Sequence, residues 1–173
     1  MEKLVFLDES GARTNMTRLY GRAPVGQRVV SKVPHGHWKT CTMLCAVRLS
    51  GPLAAVTLDG AVDADTFRVY IREVLAPQLQ SGDVVVLDNL QAHKASGVKQ
   101  AVEAAGASLV YLPPYSPDFN PIENMWSKIK SHLRRLAART FEALGNAVDE
   151  ALGLVTPGDC QGFFRHCGYS ATQ

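Results

Sequence analysis

Three acidic residues stand at positions where carboxylates can be brought together: Asp8, Asp88 and Glu123. Asp8 directly follows the apolar run Val5-Phe6-Leu7, and Asp88 directly follows Val84-Val85-Val86-Leu87. Glu123 comes three residues after Asn120, which with Pro121 forms a pair that opens helices because Asn caps and Pro suits the first position. If the two apolar runs are parallel neighbours, both aspartates leave the sheet at one edge, where open α/β sheets place their ligands. A helix starting over that edge supplies the third carboxylate. Each acid also has a purely structural explanation. Asp is common at strand ends, and Glu at the third helical position can bond back to the cap's amide.

The elements that must position these acids follow from periodicity. Leu4 to Leu7 reads as a buried strand. Leu19-Tyr20 and Arg28-Val29-Val30 flank Ala23-Pro24-Val25-Gly26, which predicts a hairpin with a longer turn. Residues 40–49 alternate, with Cys41, Met43, Cys45, Val47 and Leu49 on one face, which predicts a half-buried strand. Gly51-Pro52 turns the chain into a strand over Leu53 to Leu58. Asp63 or Asp65 caps a helix carrying Phe67, Tyr70, Ile71, Val74 and Leu75 inward. The continuous run 84–87 reads as a strand buried on both faces. Ser96 to Ala105 reads as a short helix stopped by Gly106, and Leu109 to Leu112 as the next strand. Pro113-Pro114-Tyr115-Ser116-Pro117 forms a stiff loop. Ile122, Trp126, Ile129, Leu133 and Leu136 mark a long helix, and Thr140 starts another with Phe141, Leu144, Val148 and Leu152 inward. Five strands, first alone and then alternating with helices, give one α/β domain: a mixed sheet with helices packed on it.

Composition agrees. The chain has 173 residues, 46% hydrophobic and 20% charged, enough apolar material for one globular core. No apolar run approaches the ~18–20 residues that span a bilayer, and the N-terminal run is too short for a signal-peptide core. The expectation is a cytoplasmic protein that does not enter a membrane. Net charge is +2 overall but uneven: +5 over residues 1–50, −5 over 51–123 and +2 over 124–173. An acidic middle between basic flanks fits a carboxylate site bordered by phosphate-binding surface, or ordinary surface mixing. The four cysteines, Cys41, Cys45, Cys160 and Cys167, match no common paired zinc spacing and read as reduced thiols. His35 and His37 form a His-x-His pair without further ligands nearby.

The segments around the acids carry a further signal. Tyr111-Leu112-Pro113-Pro114-Tyr115-Ser116-Pro117-Asp118-Phe119-Asn120-Pro121-Ile122-Glu123-Asn124-Met125-Trp126-Ser127-Lys128-Ile129-Lys130 resembles the hallmark of DDE transposases of the mariner-like and bacterial insertion-sequence group. Leu87-Asp88-Asn89-Leu90-Gln91-Ala92-His93 resembles that group's second acidic motif, and Phe6-Leu7-Asp8-Glu9-Ser10 the first. The 34 residues between Asp88 and Glu123 are a spacing familiar in the group. The resemblance implies a ribonuclease-H-like fold, with Asp8, Asp88 and Glu123 as catalytic acids holding two Mg2+ or Mn2+ ions. By analogy Asp8 bridges the ions, Asp88 holds one and Glu123 the other. Two ions ~3.5–4 Å apart serve an in-line displacement at phosphorus. Water would act first and release a 3′-hydroxyl, which would then attack target DNA. Glu9 adjoins Asp8 but points to the opposite face of an extended strand. Asn89 and His93 are auxiliary candidates, for contact with phosphate or water or, for His93, a loop-to-helix hydrogen bond.

DNA is the implied partner. No acid occurs from Asn124 to Phe141, yet Lys128, Lys130, Arg134, Arg135 and Arg139 do. At 100° per residue, Ser127, Lys130 and Arg134 lie within about 40° of Glu123, so the acid's stripe continues as positive charge. This is either a phosphate-backbone contact or a solvated helix face. Arg13, Arg18, Arg22 and Arg28 are further candidates, and the apolar stripe with Trp126 is core. Seven residues precede Asp8, so no helix-turn-helix module fits there. The expectation is a single catalytic domain, residues 1–173, of a split or frameshifted transposase or a truncated copy. A separate or frameshift-fused module would recognise the ends, and a homodimer would form the synaptic complex. The rival readings are a structure-specific nuclease or resolvase on the same fold, and a catalytically idle DNA-binding descendant.

Overall fold

The structure is a computed structural model of the chain and describes residues 1–90, 92–94, 96–114 and 116–169. Gln91 and Tyr115, both inside the motif segments, fall outside these. Five strands form one mixed sheet in the order β3-β2-β1-β4-β5. β1 (Leu4–Arg13), β2 (Thr40–Arg48) and β3 (Gly51–Asp59) pair antiparallel, while β4 (Val84–Leu87) and β5 (Ser108–Tyr111) join β1 in parallel. One face is covered by α1 (Ala64–Tyr70), which runs on through a π-helical turn over Ile71–Leu75, and by α2 (Val98–Ala104). The other carries α3 (Pro121–Leu136), α4 (Phe141–Gly153) and α5 (Pro157–His166). Among the described residues no helix is long and apolar enough to cross a membrane.

Alternation along β1 builds both cores. Phe6 and Ala12 face α3–α5, and Val5 and Leu7 face α1 and α2, as period-two side chains must. β1 is longer than the apolar run implied. Its pairing with β2 continues to Arg13↔Thr40, so Asp8 lies inside the strand rather than after it. Backbone pairing to β2 extends a strand regardless of side-chain polarity. β2 is buried on both faces, not one: Met43 and Val47 enter one core, Leu44 and Ala46 the other. On that second face only Leu44 and Ala46 are apolar, too few beside Thr40, Thr42 and Arg48 to show in the pattern.

The hairpin expected before β2 does not form. Pro24 to Gln27 makes a turn, with the Gln27 amide donating to the Pro24 carbonyl at 3.0 Å and Gly26 at φ +83°. The flanking residues form no strands, and Tyr20, Val25 and Val30 are exposed. Their apolar side chains stay exposed and, among the described residues, they pair with no strand of the sheet.

Helix ends follow local chemistry. Asp63 caps α1 by accepting from the Thr66 amide at 2.8 Å, and Thr140 caps α4 through the Ala143 amide at 3.1 Å. Gly106, at φ +76°, follows α2 as its stop. α5 was not evident from apolar spacing, but Thr156 and Asp159 form a capping box around Pro157. α3 buries Ile122, Met125, Trp126, Ile129 and Leu133. Leu136, expected inward, is 41% exposed because the helix ends there.

That end is strained. Ala137 adopts φ +52°, ψ +46° at the C-terminal cap, a left-handed conformation costing an L-residue about 1–2 kcal/mol. Ala137→Gly relieves it, offset in part by the greater freedom glycine gives the unfolded chain. A net gain of roughly 0.5–1 kcal/mol is expected, read as a higher urea midpoint at unchanged slope.

Candidate active site

The parallel pairing of β1 with β4 sets the geometry. Leu4, Val5 and Phe6 stand opposite Val84, Val85 and Val86, and the same register continued by two residues brings Asp8 level with Asp88. Neighbouring strands lie about 4.8 Å apart, so the two acids come close without any long-range coincidence. α3 begins over this edge. Asp8, Asp88 and Glu123 together line one cleft of about 380 Å³, walled by Pro113, Pro114 and Pro117. The three acids singled out by sequence are therefore brought together. They share the cleft without closing on one point: among the described residues no three His, Cys, Asp or Glu side chains stand close enough together to hold a metal ion.

The three carboxyls differ in environment. Asp8 is 6% exposed, and its Oδ2 accepts from the indole N–H of Trp126 at 3.2 Å. Burial pushes its pKa up to about 7, opposed by the Glu9 amide and reinforced by the charges of Glu123 and Asp88. Loss of hydration disfavours the charged form, and like charges add to that. For Asp88, burial acts upward too. The hydrogen bond and charge of His93 and the Leu90 amide outweigh it, so the carboxyl sits below its ordinary range. Glu123 is exposed in the first turn of α3, where the helix dipole favours its charge. It makes no capping bond: Asn120 is 4% exposed, its side chain does not cap, and its amide N–H donates to the Pro117 carbonyl at 2.9 Å.

His93 lies behind Asp88 rather than in the cleft. It is 1% exposed and stacked on Phe67 at 4.3 Å between ring centres. Its Nδ1 is 2.5 Å from Asp88 Oδ1, and its carbonyl accepts from the Tyr111 hydroxyl at 3.0 Å. Since an ionised carboxylate only accepts, Nδ1 carries the proton in this contact. Asn89 does line the cleft. Glu9 does not; it pairs opposite Leu44, whose side chain enters the α1/α2 core. His35 and His37 are exposed, and all four cysteines are buried and free.

Sequence reasoning placed Trp126 in the core, where it is, but missed its donor role toward Asp8. Its position three residues after Glu123 was the available signal, since i and i+3 share a helix face. The basic residues of α3 and of the turn after it divide. Lys128 Nζ is bound to Asp159 Oδ2 at 2.5 Å and to the Leu154 carbonyl at 2.9 Å, and holds Asp159 down to about 2 in pKa. Arg135 donates to His132 Nδ1 at 2.9 Å, and Arg139 binds the Thr14 and Met16 carbonyls at 3.0 and 2.8 Å.

The buried Asp8 fixes a pH dependence. Its folded pKa lies above the ordinary 3.8, so between those values the native state binds more protons than the unfolded one. Stability therefore falls as pH rises. Without divalent cations, the melting temperature should drop from about pH 4 to about pH 7. Asp8→Asn, which keeps an acceptor for Trp126, should flatten that slope; an unchanged slope would contradict the assignment.

Known proteins resemble this chain in sequence and in fold. The chain matches the family model described as DDE superfamily endonuclease over residues 3–145. It is 28% identical over 138 residues to the Tc1 transposase of Caenorhabditis elegans, covering 75% of this chain and 50% of that protein. It is 29% identical over 125 residues to the Tcb1 transposase of Caenorhabditis briggsae, covering 68% and 46%. The chain thus spans about half the length of the curated relatives it matches. Its fold is similar to the Mos1 mariner paired-end complex with Mn, at TM-score 0.79, 18% identity and 96% and 53% coverage. The isolated catalytic domain of Mos1 mariner transposase superposes at TM-score 0.68 and 16% identity, over 97% and 78%. The mixed sheet with helices on both faces is the ribonuclease-H-like fold. With its family model covering most of the chain, the protein belongs to the DDE superfamily of endonucleases.

Proposed function

We propose that this domain is the catalytic part of a transposase, hydrolysing DNA phosphodiesters at element ends and joining the freed 3′ end to target DNA. One observation carries the reading: Asp8, Asp88 and Glu123 meet in a single cleft of a chain from the DDE endonuclease family. Two Mg2+ or Mn2+ ions suit this donor set, because three carboxylates offer hard oxygen ligands. Asp8, whose pKa is raised first by burial and then by the charges of Glu123 and Asp88, is a carboxyl whose ionised form a bound cation would favour. Asp8, Asp88 and Glu123 would hold the ions. When bound, such cations polarise phosphoryl oxygen and make water a nucleophile at neutral pH.

The chain's own groups do the rest. Trp126 fixes the buried Asp8 oxygen, and His93 keeps Asp88 ionised and oriented. Glu123, exposed on the first turn of α3, lines the cleft where solvent reaches it and would meet a substrate phosphate there. The prolines of the wall give a cleft that need not reorganise. For the finer partners, we propose a homodimeric synaptic complex with element ends and target DNA. End recognition would come from a helix-turn-helix module, separate or frameshift-fused, in keeping with relatives about twice as long.

With MnCl2, the chain should nick supercoiled plasmid, and Asp88→Asn should abolish nicking; undiminished nicking by Asp88→Asn would overturn the reading. Joining of pre-cut element ends separates transposase from nuclease, because cleavage without joining favours the latter. DNA binding with no cleavage under any metal would favour the idle descendant. His93→Ala should weaken Mn2+ binding about 10–100-fold in a direct titration, as loss of a ligand's supporting hydrogen bond does.

A further inference from the structure

A second surface feature runs along the same helix as Glu123. Two adjoining clefts, of about 660 and 720 Å³, lie between α3 and residues 11–20 and share Arg18, Leu19 and Arg134. Together they form one groove. Its lining includes Arg13, Arg18, Lys130, Arg134 and Arg135 and, among the described residues, not one carboxylate. The chain as a whole has nearly as many acids as bases, so an all-cationic groove of this size is not ordinary surface mixing.

The groove is also a built feature. Arg139 clamps its outer wall by donating to the Thr14 and Met16 carbonyls. The Thr14 amide donates to the Lys39 carbonyl at 3.0 Å, and the Lys39 amide to Thr14 Oγ1 at 3.0 Å. Lys128 anchors the inner wall to α5 through Asp159. These two cations are consumed by the scaffold. Arg13, Arg18, Lys130 and Arg134 form no ion pair or side-chain hydrogen bond with the described residues, so their charge stays directed at the groove.

Resting on the functional reading above, we propose that the DNA strand approaching the carboxylate cleft continues through this groove. Arg13, Arg18, Lys130 and Arg134 contact its phosphates, while Lys128 and Arg139 only hold the walls. Lys130 and Arg134 share the Glu123 stripe and lie about 10 and 16 Å from it along the axis. With one phosphate per about 3.4 Å of duplex per strand, those contacts fall about three to five nucleotides from the scissile position. Having no base-reading geometry, they give affinity rather than sequence choice.

The test is fluorescence anisotropy of a labelled 30-base-pair duplex of arbitrary sequence, titrated with the full chain in EDTA at several salt concentrations. Each phosphate contact contributes about 0.9 to the slope of log K against log salt. Arg18→Ala and Arg134→Ala should each reduce the slope by about one, and the double variant by about two. Lys128→Ala should lower the melting temperature and leave the slope unchanged. An unchanged slope in Arg18→Ala/Arg134→Ala, or an equal loss in Lys128→Ala, would overturn the proposal. Manganese-dependent plasmid nicking is read separately from the slope in EDTA, so failure of the groove and failure of the catalytic reading give different results.

Discussion

Two carboxylates set level on adjacent parallel strands, one of them buried, form an arrangement that folding alone disfavours. Taking Asp8 out of water beside Asp88 and Glu123 raises its proton affinity, and the free energy for this must come from elsewhere in the fold. The sources are visible. The β1–β4 register is fixed by Val5, Phe6, Val85 and Val86, which are buried in two separate cores. A slip of one residue would turn every one of these side chains to the wrong face. Asp8 and Asp88 cannot separate without breaking that register. The repulsion is therefore borne by the sheet and stays available to be relieved by a bound positive charge.

The supporting contacts show the same logic at each acid. Trp126 gives Asp8 one directional donor without a charge, which orients the carboxyl while leaving it in need of a counter-ion. His93 treats Asp88 differently, favouring its ionised form. The ring is held in place by Phe67 on its face and by Tyr111 on its backbone, so its proton cannot swing away. Two neighbouring carboxyls are thereby pushed apart in proton affinity. Divergent pKa values of this kind are a mark of functional sites, where structural ion pairs alone would drive both downward.

Much of this was legible in the residues. The runs 84–87 and 122–133 have one physical reading each, a doubly buried strand and an amphipathic helix. They place Asp88 and Glu123 at element ends. Asp8 was located correctly for the wrong reason. Its strand does not stop where the apolar residues stop, because the antiparallel partner β2 supplies backbone hydrogen bonds out to Arg13. Long-range pairing of this kind leaves no local trace, and the same holds for the roles of His93 and Lys128. His93 could not be told from a cleft residue until Phe67, 26 positions earlier, was seen beneath it. Lys128 looked like its neighbours on the basic stripe until Asp159 was found opposite it. The false hairpin near Gly26 is the converse: a local turn signal was right, but strands need partners that the segment lacks.

The division of α3 into functional faces follows from helical geometry together with what packs against each side. Its apolar stripe, from Ile122 to Leu133, is committed to the sheet. Glu123, Lys130 and Arg134 lie on a second stripe at the border of that core, so they reach solvent while the backbone beneath them is immobilised. A rigid helix holds an acid and its following cations at fixed separations. A flexible loop carrying the same residues would lose binding free energy in ordering them. The sign change along the stripe also matters. A phosphate backbone is repelled by bare carboxylates and attracted by arginines, so its position along the groove depends on how far the acidic end is neutralised. Charge balance in the cleft and strand placement in the groove are thus coupled through a single helix, with no moving part between them.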